Sequence, residues 1–403
     1  MNDLIATYYF KPKSGVTPEY AAQAISDEQT TGTWTGISTV NDKTEYVHAF
    51  DGEVLEIVPS GDGFQTKLRY PYEIFEPGNI PQYLSVIAGN LFGLGKLEAV
   101  RLLDIEIPKG LDGTGPKFGI EGVRKLTGTE TTRRPHVGTI IKPKVGLTPK
   151  DTAAVAYEAA IGGVDLIKDD ETLTDQKFCP LMVRLGMVME ALERAKDETG
   201  REVLYALNVT TGGDRILEVA SNAVKSGANM LMVDVLTAGF SAVQCLASDP
   251  SINVPIHVHR TMHGALTRNP VHGIAMRPIA KLVRVCGGDQ LHTGTVSGKM
   301  GGKAAEILGD NAALTRPAGD LLPVFPVASG GLHPGKVHAE ITTLGNEIVL
   351  QAGGGIHGHP DGTAAGACAM RQAVDAAFLG VSAKEYAKTH VELRKALEKW
   401  GSA

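Results

Sequence analysis

From His136 onward the chain alternates between short apolar runs and longer segments whose apolar residues recur at helical spacing. The runs fall at residues 137–141, 164–167, 204–209, 230–235, 256–258, 290–292, 324–328 and 348–351. Eight strand-then-helix units predict a (β/α)8 barrel, in which function gathers at the C-terminal ends of the strands. A doubly wound open sheet is the other architecture this alternation allows. The first 120 residues lack the repeat. Residues 5–10 read as a strand, and 17–25 as a helix with Thr17 as its N-cap. Residues 53–58 and 64–70 alternate like paired strands around Ser60-Gly61-Asp62-Gly63. A Pro/Gly-rich stretch at 107–119 marks a boundary. The expected organisation is therefore α/β: a small α+β domain over 1–120 and a barrel with C-terminal helices over 121–403.

Unusual residues cluster at the strand ends. Strand one ends in Lys142-Pro143-Lys144, strand two in Lys168-Asp169-Asp170-Glu171, and strand three in Asn208. Strand five ends in His257-Val258-His259-Arg260, and strand six in His292-Thr293-Gly294-Thr295. Strands seven and eight end in Ser329-Gly330-Gly331 and Gln351-Ala352-Gly353-Gly354. A barrel kept for stability alone has no need of basic, histidine and glycine-rich ends on so many strands.

The stretch 162–171, GGVDLIKDDE, carries the most chemistry. Side chains alternate along a strand, so Val164, Leu166, Lys168 and Asp170 share a face, with Glu171 at the turn beyond. A charge run at a strand end is usually a solvated terminus. Here an apolar strand carries Lys168 into the interior, where an ammonium lowers its pKa or finds a partner. A neutral lysine is a nucleophile. Capture of CO2 would make it a carbamate, and Lys168, Asp170 and Glu171 would then offer three hard oxygen ligands suited to Mg2+.

Gly330-Gly331 and Gly353-Gly354 place bare backbone amides where barrels commonly hold phosphate. Either pair alone reads as a tight turn. Arg260 and His292 are candidates for a second phosphate, both donating strongly when charged, so two sites across the mouth imply a bisphosphate. Lys142 and Lys144 would share a strand face across Pro143, one as acid/base and one as electrostatic partner, against the plain alternative of a solvated turn. His259 reads as a second acid/base or a structural histidine; His257 and His263 read as supports. Residues 296–303 form a glycine-hinged loop around Lys299, a lid or a plain surface loop.

Composition narrows the field. The 403 residues suit two domains, or one large barrel with an appendage. The net charge of −6 argues against a nucleic-acid partner, so any phosphate site must be local. The 48 glycines suit many tight strand-to-helix turns. Cys179, Cys245, Cys286 and Cys368 are widely spaced and read as reduced core thiols of a cytoplasmic protein. Without a signal peptide or a long apolar run, no membrane association is expected.

The motifs GTIIKPKVGLT, GGVDLIKDDE, HVHRTMH, GGDQLHTGTVSGKM, PVASGGLHPG and QAGGGIHGHP resemble, in order, those of the large subunit of ribulose-bisphosphate carboxylase (RuBisCO). Two N-terminal segments, 28–34 and 88–93, are similar to family segments that cross to a neighbouring subunit. The resemblance implies a carboxylase/oxygenase of ribulose 1,5-bisphosphate that yields 3-phosphoglycerate. It implies Mg2+ on a CO2-carbamylated Lys168 with Asp170 and Glu171. Lys142 would be the proton-transferring base, Lys144 its neighbour on the substrate, and His259 a second acid/base. Lys299 would stabilise the carboxylation transition state. Arg260, His292, Ser329, Gly330, Gly331, Gln351, Gly353 and Gly354 would bind substrate, with Glu28, Thr33, Trp34 and Asn90 acting in trans. A homodimer or assembly of dimers without a small subunit is implied. Departures are Lys-Met-Gly-Gly in the lid where the plant type has Lys-Leu-Glu-Gly, Gln290 for a family His, and Ile140 for a Thr. These and a short amino terminus resemble the archaeal form III type, often tied to nucleotide-ribose salvage. Two rivals share the fold: a RuBisCO-like enolase or isomerase of sulfur metabolism that fixes no CO2, and a non-catalytic scaffold or sugar-phosphate sensor. Joint retention of Lys142, His259, Arg260, His292 and Lys299 favours the carboxylase.

Overall fold

A computed structural model of the chain describes residues 3–33, 35–111, 113–297 and 304–402. The chain runs through β1 (Leu4–Pro12), α1 (Pro18–Gln29), β2 (Glu53–Ser60), β3 (Gly63–Tyr70), α2 (Ile80–Ala88) and β4 (Leu97–Glu106). It continues with α3 (Gly119–Leu126), β5 (His136–Ile140), α4 (Pro149–Gly162), β6 (Leu166–Lys168), α5 (Leu181–Thr199), β7 (Leu204–Asn208) and α6 (Ile216–Lys225). Next come β8 (Met230–Asp234), α7 (Val235–Ala238), α8 (Phe240–Ser248), β9 (Ile256–His259), α9 (Gly264–Thr267), β10 (Gly273–Ile274) and α10 (Met276–Cys286). The last part holds β11 (Gln290–His292), α11 (Ala304–Thr315), β12 (Phe325–Ser329), α12 (Val337–Leu344), β13 (Val349–Ala352), α13 (Gly354–His357), α14 (Thr363–Phe378), α15 (Ala383–Tyr386) and α16 (Val391–Trp400).

Two compact units result: Met1–Gly115 with Met262–Cys286, and Pro116–Thr261 with Gly287–Ala403. The first is built on a five-stranded sheet in the order β10-β4-β1-β3-β2. The expected β2–β3 hairpin is present, antiparallel and closing at Ser60↔Gly63. Thr17 caps α1, its hydroxyl accepting from Tyr20 N at 3.3 Å. Residues 262–286, read from the sequence as part of the barrel, belong to this unit. β10 pairs parallel with β4, and Lys281 reaches Asp104 at 2.6 Å.

The second unit is a closed parallel barrel, β5-β6-β7-β8-β9-β11-β12-β13, joined again at β13 and β5. The open-sheet alternative is thereby excluded. All eight strands lie within two residues of their expected bounds. β6 is shorter, Leu166–Lys168, because the Asp165 carboxylate takes over before it: Val137 N, Arg134 and Arg371 all donate to that side chain. Leu166, Leu204, Met230, Phe325 and Val349 fill the N-terminal end of the barrel, closed by Ile120 and Val123 of α3. Function is left to the opposite rim.

The four cysteines divide. Cys179 and Cys286 are buried, but Cys245 is exposed and Cys368 half-buried, so the expectation of four core thiols is corrected. Cys245 lies on α8, where helical periodicity turns one face to solvent. Among the described residues no helix is long and apolar enough to cross a membrane.

Candidate active site

Lys168 is the last residue of β6, and its side chain is 1% exposed. Its amine donates to Asp169 O at 2.7 Å and lies 3.6 Å from Glu171 Oε2. Burial pulls its pKa below the ordinary lysine value, a shift that Glu171, Asp170 and other nearby carboxylates oppose without reversing. The expected face-sharing of Lys168 and Asp170 is carried past the strand end by Asp169, which is buried on the opposite side. There Asp169 ion-pairs with Arg184 at 3.1 Å and accepts from Asn208 N at 3.0 Å and the Tyr205 hydroxyl. Arg184, also fully buried, is anchored further by Cys179 O and Thr174 O at 2.7 Å each.

Asp170 accepts from Lys142 Nζ at 2.7 Å through one oxygen, and from Thr172 N and Oγ1 through the other. Burial alone would raise this carboxyl, but Lys142 and Thr172 outweigh it and hold the pKa below the usual range. Lys142 and Lys144 do not sit on a strand face as expected. β5 ends at Ile140, and the chain turns at a cis Lys142-Pro143 peptide. The two lysines still approach consecutive carboxylates, for Lys144 Nζ is 3.9 Å from Glu171.

His259, at the end of β9, donates from Nδ1 to Asp234 at 2.7 Å and presents Nε2 3.7 Å from Glu171. Burial and the Lys168 charge lower its pKa, against the pull of Asp234. His292 departs from expectation. Burial and its histidine neighbours push its pKa well below the ordinary value, so it is neutral rather than a charged donor. Both its nitrogens are engaged, with His257 at 2.8 Å and Ser329 Oγ at 2.6 Å. His257 in turn meets Gln290 at 2.7 Å and serves as the expected support. Arg260 keeps its charge, its pKa lowered by burial to about 10. Its guanidinium lies beside Gly294, where a Cβ would approach Nη2 to 3.1 Å.

Gly330 and Gly331 follow β12 with φ of 116° and 80°, left-handed conformations that favour glycine. Gly353 sits against Lys142, whose Cε would lie 3.2 Å from an added Cβ, and Gly354 opens α13. Gln351 donates to Thr139 O at 2.8 Å, while its buried Oε1 has no hydrogen-bond partner among the described residues. Glu28 ends in the last turn of α1, Thr33 is exposed beyond it, and Asn90 opens a short 3-10 turn; all three belong to the first unit. Trp34 and Lys299 lie outside the described residues.

The family model of the ribulose bisphosphate carboxylase large chain, catalytic domain, matches residues 119–400, and that of its N-terminal domain matches residues 1–111. The chain belongs to the ribulose bisphosphate carboxylase large-chain family. Among curated members of this RuBisCO family, the ribulose bisphosphate carboxylase of Methanosarcina barkeri is 42% identical over 416 residues, covering 99% of this chain and 96% of the relative. That of Pyrococcus furiosus is 42% identical, with 99% and 94% covered. The octameric RuBisCO of Pyrococcus horikoshii OT3 superposes with a TM-score of 0.93 at 40% identity, covering 99% of this chain and 94% of its own. The dimeric archaeal RuBisCO of Hyperthermus butylicus gives 0.91 at 39% identity, with 100% and 96% covered.

Sequence reasoning missed several residues at the RuBisCO barrel rim. Asp234, the partner of His259, was legible only as a polar residue closing an apolar strand. Asp169 read as one charge in a run, although the period-two rule places it opposite Lys168. Asn208, noted as a strand end, donates to the carbonyls of both Asp170 and Glu171, at 3.3 and 3.2 Å.

Proposed function

We propose that this chain is a ribulose-1,5-bisphosphate carboxylase that enolises its substrate and adds CO2 to give 3-phosphoglycerate. The observation that carries the reading is the fully buried Lys168 amine among Asp170, Glu171, Lys142 and His259, at the C-terminal rim of a closed barrel. Family membership across nearly the whole chain points the same way.

Among the described residues no three His, Cys, Asp or Glu side chains form a metal site. Asp170 and Glu171 are two hard carboxylate donors, and Lys168, once carbamylated by CO2, is the third. That set fits Mg2+. The ion, when bound, supplies positive charge to the substrate oxygens that become anionic. The remaining work falls to the chain. Lys142, which donates to Asp170 here, would take the proton whose loss makes the enediol once its amine has given up its own proton and is neutral. Lys144 adds a second positive charge beside Glu171. His259, oriented through Nδ1 by Asp234, exchanges a proton at Nε2. Arg260 holds one phosphate, its guanidinium lying in the space that Gly294 leaves open. The amides of Gly330, Gly331, Gly353 and Gly354 serve phosphate, Ser329 and Gln351 offer neutral polar atoms, and His292 positions Ser329. Lys299 stabilises the carboxylation transition state.

We further propose a homodimer or an assembly of dimers, with Glu28, Thr33, Trp34 and Asn90 completing a neighbour's site and no small subunit. The dimeric and octameric states of the two archaeal relatives support this. The decisive experiment supplies ribulose 1,5-bisphosphate, labelled bicarbonate and Mg2+. Acid-stable label is expected in 3-phosphoglycerate; its absence would replace the carboxylase by the enolase reading.

A further inference from the structure

Glu340 lies on α12, fully buried, and no part of the proposed chemistry uses it. Its carboxylate accepts three hydrogen bonds from the segment that follows β11: Val296 N at 3.1 Å on one oxygen, and Ser297 N at 2.7 Å with Ser297 Oγ at 2.5 Å on the other. A carboxylate removed from water is costly unless such donors satisfy it, so the helix and the segment hold one another in register. The residue just before, Thr295, is itself buried and donates its hydroxyl to Gly330 O at 3.3 Å. Ser329 is gripped on the same side by His292. The turn from Ser329 through the left-handed Gly330 and Gly331 is thus fixed from the end of the preceding barrel strand.

We propose that Glu340 is a positioning residue. Through Val296 and Ser297 it holds Thr295 against Gly330, and so aims the Gly330 and Gly331 amides at a phosphate group. The inference rests on the reading of that turn as part of the anion site. Glu340 touches no reacting atom.

The test uses the full chain, with inorganic phosphate as the probe and two variants. Glu340→Gln keeps the side chain's size but turns one acceptor into a donor facing an amide N–H. Thr295→Val breaks only the link to Gly330. Amide hydrogen exchange at Val296 and Ser297 should quicken in Glu340→Gln and stay unchanged in Thr295→Val. In both, the inhibition constant of phosphate and the KM for ribulose bisphosphate should rise about tenfold, the size of a lost charge-assisted hydrogen bond. The kcat should change by less than about threefold, since uniform binding is what is lost. Unchanged exchange in Glu340→Gln overturns the clamp. Faster exchange with unchanged phosphate affinity overturns its role in aiming the turn. If Glu340→Gln does not fold, Thr295→Val alone decides that role. A wild-type protein that phosphate does not inhibit overturns the anion reading itself. The exchange rates, which need no ligand, distinguish that failure from failure of the clamp.

Discussion

A lysine out of water is either paired, neutral or modified, and Lys168 is placed so that all three are within reach. The proposed role of Lys168 as a CO2 acceptor needs a primary amine. Lys168→Arg keeps a cation but cannot form a stable carbamate, so it should abolish Mg2+-dependent carboxylation; full activity in that variant would remove the carbamate from the mechanism. Elsewhere burial acts on stability. His136 sits at the start of β5, bonded to Thr129 at 2.7 Å, with its pKa driven by burial from 6.5 down to about 3. Between those values the unfolded chain binds a proton that the folded chain does not. Stability is therefore unaffected above about pH 7 and falls as pH drops, by about 1.4 kcal/mol per unit for this one group. Replacing His136 by Gln should shrink the loss of stability between pH 6 and 4.5 by about 2 kcal/mol, read from denaturant midpoints at the two pH values. An unchanged slope would mean that His136 is protonated in the folded state.

At the scale of elements, the helix that follows β5 has well-defined ends. Thr148 and Asp151 form a reciprocal capping box at the start of α4, with Pro149 in the first turn and the left-handed Gly163 closing the far end. Thr148→Ala should lower stability by about 1 kcal/mol, measured by chemical denaturation, with the β5 and β6 ends left in place. A loss well below that would show that tertiary packing, not the cap, fixes the helix start. The same scale explains why Lys142 and Lys144 follow β5 yet share no strand face. Alternation applies only while the backbone stays extended, and β5 ends before either lysine. The β6 run gave a better result because Asp169, buried against Arg184, keeps Lys168 and Asp170 on the mouth side.

At the scale of the molecule, the proposed site would be shared between chains. Glu28, Thr33 and Asn90 belong to the first unit, and the proposed metal set to the second. Mixing inactive Lys168→Ala subunits with inactive Asn90→Ala subunits should restore activity, because one of the two sites in a mixed dimer would be intact. Full activity from a monomer in sedimentation would sink the shared-site reading. The barrel was legible because its strands are buried on both faces and most of them read as apolar runs. The placement of residues 262–286 was not. β10 is two residues long and pairs with β4, more than a hundred and fifty positions away in sequence, and no local pattern encodes that partner.

The sequence by itself determined the alternation of strands and helices and the chemical character of each strand end, whereas closure of the strands into a barrel was decided by the pairing of β13 with β5. The alternation and the character of the strand ends follow from periodicity and residue type, which are local. Only the tertiary structure decided which groups meet and in what charge state. Asp234 reaching His259, Asp169 locked to Arg184, and Glu340 gripping Val296 and Ser297 all join separate strands or helices. The neutrality of His292 likewise comes from burial beside His257 and His259, a property of the packed interior that its own sequence neighbours do not specify.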